Sequence, residues 1–169
     1  HHEAEEQAAR GLDAVGNPAV YAERLASVKA RDVAGRLPGR LVLGADTVVV
    51  LDGAVLEKPV DEADAGRLLG LLSGRRHTVI SAVALVGGVA GEMGFAAHEK
   101  TTVEFLELDD QAIRRYVATG EPMDKAGAYG IQGFGALMVR GVEGCYFNVM
   151  GLPLARLGEM MRALINTRL

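Results

Sequence analysis

The stretch that most limits what this chain can become is LVLGADTVVVLDG, residues 41–53. An almost continuous apolar run rich in Val reads as a buried strand, because β-branched residues fit a pleated surface covered on both faces. Asp52-Gly53 then supplies a tight turn into a short second strand, AVLEK. Into the middle of the first run the sequence sets a carboxylate, Asp46, which is costly to bury without a partner. Gly44, close by, lets another backbone approach. An aspartate capping a strand end would account for the same residue. Thr47 beside it and Lys58 after the turn favour another reading. A hairpin through Asp52-Gly53 brings EKP back toward GAD, so that an acid, a hydroxyl and an ammonium gather at one end of the sheet.

The remaining segments alternate between helical and strand periods. Asn17 followed by Pro18 is a helix start, and Tyr21, Leu25 and Val28 mark an amphipathic helix to about Arg36. Asp61 with Asp64 opens a second helix that runs to Leu72 and ends at Gly74, a variant of the capping box. HTVISAVALVGG and AAHEKTTVEFLEL are strand-like and joined by a Gly-rich connection, which predicts an antiparallel hairpin. DDQAIRRYVATG is a capped helix closing at Gly120. ALMVRGVEG and CYFNVMG read as a final pair of strands. Pro153 starts a terminal helix with Leu154, Leu157, Met161 and Leu164 along one side. No repeat occurs, and the alternation predicts a mixed α/β fold in residues 1–169 as a single domain.

A net charge of −4 and a pI near 5.6 argue against a nucleic-acid polymer or a membrane surface as partner. A phosphorylated small molecule remains open, provided that local Lys, Arg or a divalent metal meets its charge. No apolar run approaches the roughly 20 residues that span a bilayer. A single cysteine, Cys145, fits a reducing compartment, and the expected location is the cytoplasm.

Three lysine- and acid-bearing stretches could meet such a ligand. Hydrolysis of a phosphoanhydride needs cations to neutralise phosphate and a carboxylate to orient water or hold a metal. Asp46 and Lys58 suit these tasks, and Lys29 falls on the helix before the strand, where a solvated face is the commoner fate of a lysine. In DKAGAYGIQGFGA, residues 124–136, Asp124 and Lys125 stand beside Gly127, Gly130, Gly133 and Gly135 around one Gln132. Such glycines let a planar ligand lie against the main chain. The Gln132 amide both donates and accepts, which matches a uracil or thymine edge, whereas a glutamate there would only accept. His77 and His98 lack neighbours at ligand spacing, which argues against zinc. Cys145 reads as a small core residue, and Arg75 and Arg76 as a solvated loop.

These stretches together carry a resemblance. LGADTVVVLDGAVLEKPVDEADAGRLLGLLSGRRHTV, GEPMDKAGAYGIQGFGALMVRGVEG and NVMGLPL resemble the Maf family of nucleoside triphosphate pyrophosphatases, in order and at close to its spacing. The resemblance implies a two-lobed α/β fold around a curved mixed β-sheet, similar to inosine triphosphatase-like folds, with a cleft between lobes and a homodimer. It implies cleavage of the α–β phosphoanhydride of a nucleoside triphosphate with a divalent cation, Mg²⁺ or Mn²⁺. Asp46 matches the family's proton acceptor, also a candidate metal ligand, and Lys58 and Lys29 match its functional lysines. Thr47 and Gln132 match positions tied to substrate choice, and IQG resembles the dTTP/UTP branch. The family's opening strand and its Ser-Pro-Arg-Arg loop find no match here, which predicts an incomplete beginning and an exposed sheet edge. A nucleotide-binding regulator of cell division and septum formation, with little catalysis, is the rival expectation.

Overall fold

The computed structural model describes residues 16–87 and 94–166. The opening HHEAEEQAARG and most of the Gly-rich connection expected between the two long strands lie outside the described residues.

Helix α1 (Pro18–Ala34) begins as its sequence dictates. Asn17 Oδ1 accepts a hydrogen bond from the Val20 backbone N–H at 3.3 Å, and Pro18 takes the first helical position. Its inner face is mostly small: Ala19, Ala22, Ala26 and Ala30 are buried beside Tyr21 and Leu25. That face lies so close to strand β1 (Leu41–Leu51) that a Cβ on Gly44 would stand 2.3 Å from the Ala26 carbonyl oxygen. The close approach expected of Gly44 is real, and α1 is what approaches.

Asp52 at φ 51° and Gly53 at φ 81° close the hairpin from β1 to β2 (Ala54–Leu56). Both central residues are left-handed, the turn whose twist suits flanking strands. Helix α2 (Glu62–Leu72) is capped by Asp61, which accepts from the Asp64 N–H at 2.7 Å, and Gly74 leaves it at φ 67°. Strands β3 (Arg76–Gly87) and β4 (Gly94–Phe105) then pair antiparallel along their length. Helix α3 (Asp110–Val117) leads into three short 3₁₀ turns, Glu121–Asp124, Ala126–Ala128 and Gly133–Met138. Strand β5 (Val139–Glu143), the one-turn helix α4 (Tyr146–Val149) and helix α5 (Leu154–Asn166) finish the described chain.

The five strands form one sheet in the order β2-β1-β3-β4-β5. Alternation along each strand builds a core on both faces. Val49, Leu51, Val79, Val103 and Phe105 meet α2 on one side, while Val48, Ile80, Ala82 and Ala84 meet α1 on the other. β2 is short and covers only Val49, Val50 and Leu51 of β1. Among the described residues the outer edge of β1 before Val49 has no strand partner.

Three details differ from expectation. Where the resemblance implied a mixed sheet, every strand pairing among the described residues is antiparallel. CYFNVMG is not a strand; it forms α4 after Gly144 turns the chain at φ 122°. The reason lies in Asn148, wholly buried, whose amide bridges β3 and β4. Its Nδ2 donates to the Val79 carbonyl and to Thr101 Oγ1, and its Oδ1 accepts from the Ser81 N–H. Buried polar groups demand such partners, and one helical turn delivers all three. Cys145 is therefore a half-buried residue preceding α4, not a strand residue of the core. Along α5 only Leu164 is buried, while Leu154 and Met161 are exposed.

Candidate active site

Neighbouring residues in a strand point to opposite faces, so Asp46 and Thr47 can share a cavity only where it wraps around a sheet edge. The stretch of β1 before Val49, without a strand partner among the described residues, is that place. A cavity of about 530 Å³, within the range that holds a nucleotide-sized ligand, opens there. Its walls include every residue singled out from the sequence: Lys29, Asp46, Thr47, Lys58, and from the glycine-rich stretch Asp124, Lys125 and Gln132.

On the α1 face, Lys29 Nζ lies 2.7 Å from Asp46 Oδ1, and the Asp46 side chain is only 11% exposed. A carboxylate that would be costly alone is thereby matched by a cation from the preceding helix. Lys58 arrives from the end of β2, as the hairpin predicts. Beside it Glu57 is a residue that sequence reasoning passed over. Partial burial of its carboxyl, followed by the charge of Asp46, raises its pKa, while a Tyr21 hydrogen bond and the Lys58 charge oppose the rise. Two carboxylates thus sit near enough to feel each other. The adjacency of Glu57 to Lys58 in EKP was the available signal.

The glycine-rich stretch forms the opposite wall. Gly127, at φ 66°, donates its N–H to the Glu57 carbonyl at 3.1 Å, and a Cβ there would stand 3.0 Å from Val49 Cγ1. This glycine is what lets the stretch close against β1. Asp124 and Lys125 pair with each other at 2.6 Å, and that hydrogen bond holds the Asp124 carboxyl below its ordinary range. The pair lies at the rim, with Asp124 81% exposed.

Gln132 is exposed and precedes the 3₁₀ turn Gly133–Met138. That turn is held by Glu121, a second residue not foreseen. Glu121 Oε2 accepts from the Phe134 N–H at 3.0 Å, and Oε1 accepts from the Gly135 N–H at 3.1 Å and from the Tyr116 hydroxyl at 2.9 Å. The Tyr116 oxygen in turn accepts from the Gly130 N–H at 3.1 Å. Desolvation works to raise the Glu121 pKa, but the three donors together outweigh it and lower it. Nothing in the sequence around Glu121 but a lone acid before Pro122 signalled this role.

On the other face Thr47 Oγ1 lies 2.7 Å from Ser81 Oγ, directly across the β1–β3 pairing. Val49, Val149, Met150 and Gly151 give this side of the cavity an apolar lining. The residues set aside from the sequence stay away from it. Arg75 pairs with Asp52 and Arg76 with Glu143, His98 pairs with Glu23, and His77 is buried with its Nε2 2.8 Å from the Tyr129 hydroxyl. No group of three or more His, Cys, Asp or Glu side chains placed to hold a metal ion occurs among the described residues.

The cavity gathers two chemistries. Lys29 and Asp46 on the α1 face, Lys58 after β2 and Lys125 on the glycine-rich wall offer three ammonium groups and a nearly buried carboxylate, suited to a polyphosphate. The face that carries Thr47 offers an apolar lining and a hydroxyl, and the glycine-rich wall adds the Gln132 amide, suited to a planar base.

Known proteins with similar sequences point the same way. The family model described as Maf-like protein matches residues 2–164. A dTTP/UTP pyrophosphatase of Pelotomaculum thermopropionicum is 55% identical over 145 residues, covering 86% of this chain and 75% of that protein. One from Symbiobacterium thermophilum is 54% identical over 145 residues, 86% of this chain and 73% of its own. One from Moorella thermoacetica is 56% identical over 144 residues, 85% and 74%. With a cavity of this chemistry and a family match along nearly its whole length, this chain belongs to the family of Maf-like proteins.

Proposed function

We propose that this protein is a nucleoside triphosphate pyrophosphatase that hydrolyses dTTP and UTP to the monophosphate and pyrophosphate. The observation that carries the reading is Asp46, nearly buried and paired with Lys29 inside a cavity that Lys58 and Lys125 also enter. Its relatives, named dTTP/UTP pyrophosphatases, support the substrate class.

In this mechanism the triphosphate lies along the ammonium groups of Lys29, Lys58 and Lys125, which offset its charge. Asp46 accepts a proton from water as the water oxygen attacks the α-phosphorus. The bond from that phosphorus to the bridging oxygen breaks, and pyrophosphate leaves with the bonding pair. Lys29 keeps the Asp46 carboxylate oriented. Gln132 and Thr47 face the base.

A divalent cation, Mg²⁺ or Mn²⁺, suits this donor set. Such ions commonly take one or two carboxylates and complete their shell with substrate phosphate and water. Asp46 would hold it, and the ion would supply charge neutralisation on the phosphates. We further propose a cytoplasmic homodimer. The exposed apolar side chains Tyr146, Phe147 and Leu154 support it, and a monomeric mass in solution would count against it.

Pyrophosphate release from a panel of triphosphates with Mg²⁺ or Mn²⁺ tests the activity, and Asp46→Asn tests the assignment. Loss of a positioned base costs about 10²–10⁴ in rate, so that variant should bind dTTP and barely turn it over. Wild-type turnover by Asp46→Asn would sink the assignment. Binding of dTTP with no release by the wild type would favour the regulator.

A further inference from the structure

Gln132 cannot by itself tell uracil from cytosine. Among the described residues no side-chain hydrogen bond of Gln132 caps the turn that follows, and the residue is exposed. Turned over about its terminal bond, an amide presents donors where its acceptor stood. One orientation matches the N3–H and O4 of uracil or thymine, and the other matches the N3 and amino group of cytosine. Discrimination needs a group whose polarity is fixed.

Thr47 is such a group. Its Oγ1 lies 2.7 Å from Ser81 Oγ, and Ser81 Oγ lies 2.6 Å from the backbone carbonyl of Asn148. A carbonyl has no proton to give, so the single hydroxyl proton of Ser81 points to Asn148. Thr47 must therefore donate its own proton to Ser81. Asn148 cannot shift to relax this order, because its amide is held by Ser81 N–H, the Val79 carbonyl and Thr101 Oγ1. Ser81 and Asn148 are both 0% exposed. Toward the cavity Thr47 is left with lone pairs alone. It stands on the apolar side, opposite the Asp46–Lys29 pair, and Gly151 leaves room beside it, since a Cβ there would come within 3.4 Å of Thr47 Oγ1.

We infer that Ser81 and Asn148 are positioning residues that lock Thr47 as an acceptor toward the substrate. The site thereby takes a pyrimidine bearing N3–H and rejects cytosine, whose N3 sets a lone pair against another lone pair. This inference rests on the pyrimidine triphosphatase reading and names what makes that site selective.

The test compares kcat/KM for UTP and CTP in the full chain, wild type against Ser81→Ala. The variant frees the Thr47 hydroxyl to turn and donate to cytosine N3. CTP hydrolysis should rise, and the UTP-to-CTP ratio should fall about tenfold or more, the size of one hydrogen-bond mismatch in a partly buried site. Thr47→Val, close in shape but without an acceptor, should lower the same ratio by reducing UTP hydrolysis, and it carries the test if Ser81→Ala does not fold by circular dichroism. A ratio equal to wild type in the folded variants, or an equal loss on both nucleotides, overturns the inference while the pyrophosphatase reading stands. No release from any triphosphate by the wild type overturns both.

Discussion

Glu121→Gln isolates the clamp on the Gln132 turn. The native carboxylate accepts three bonds: Tyr116 hydroxyl and Gly135 N–H on Oε1, Phe134 N–H on Oε2. A glutamine keeps one accepting oxygen and turns an amide NH₂ toward the remaining donor, so one bond becomes a donor–donor contact and two lose their charge. Hydrogen bonds to charged groups contribute about 1.5–3 kcal/mol and neutral ones about 0.5–1.5. The loss comes to about 5 kcal/mol if the site were dry. Glu121 is only half-buried and Phe134 is exposed, so solvent recovers most of it, and about 1–2 kcal/mol remains. That energy is spent locally on ordering the turn that carries Gln132, and global stability should change little. In kinetics, KM for dTTP should rise roughly five- to thirtyfold with kcat nearly unchanged, taking about 1.4 kcal/mol as tenfold. Steady-state assays, with amide exchange read at Phe134 and Gly135, check it. An unchanged KM, or a fall in kcat alone with exchange unaltered, would refute the reasoning. Acid should mimic the substitution. Because the folded pKa of Glu121 is lowered from 4.5, the clamp is complete above that ordinary value and is lost as pH falls through the folded one.

Burial pushes the His77 pKa down from 6.5 to about 4, so the folded chain keeps it neutral while the unfolded chain protonates it below 6.5. Stability should therefore fall by about 2 kcal/mol between about pH 7.5 and about pH 5, at roughly 1.36 kcal/mol per unit. Urea titrations should show that slope flattened in His77→Gln, and an equal slope in both proteins would count against it. Gly44→Ala places a Cβ 2.3 Å from the Ala26 carbonyl oxygen and 2.9 Å from Ala30 Cβ, with backbone on both sides unable to yield cheaply. It should cost about 3 kcal/mol, the upper end for overpacking, and an unaltered urea midpoint would show that α1 does not press on β1 as described.

Wherever side-chain period and turn chemistry act between near neighbours, the sequence foretold the structure. The Asp52-Gly53 hairpin, the caps Asn17, Asp61 and Asp109 and the long β3–β4 pairing are all decided within a few residues, and the hairpin alone suffices to send Lys58 back toward Asp46. What it did not foretell depends on partners distant in the chain. CYFNVMG has the composition of a strand, and only the needs of the Val79 and Ser81 backbone explain why Asn148 takes a helical turn instead. Glu121 is legible only once the Phe134 and Gly135 amides are seen facing it. One further step was within reach of the sequence. Successive residues of a strand cannot share a face, so a site using both Asp46 and Thr47 must wrap an edge. On the proposed reading, that geometry would set the cationic groups against the polyphosphate and the locked hydroxyl against the base.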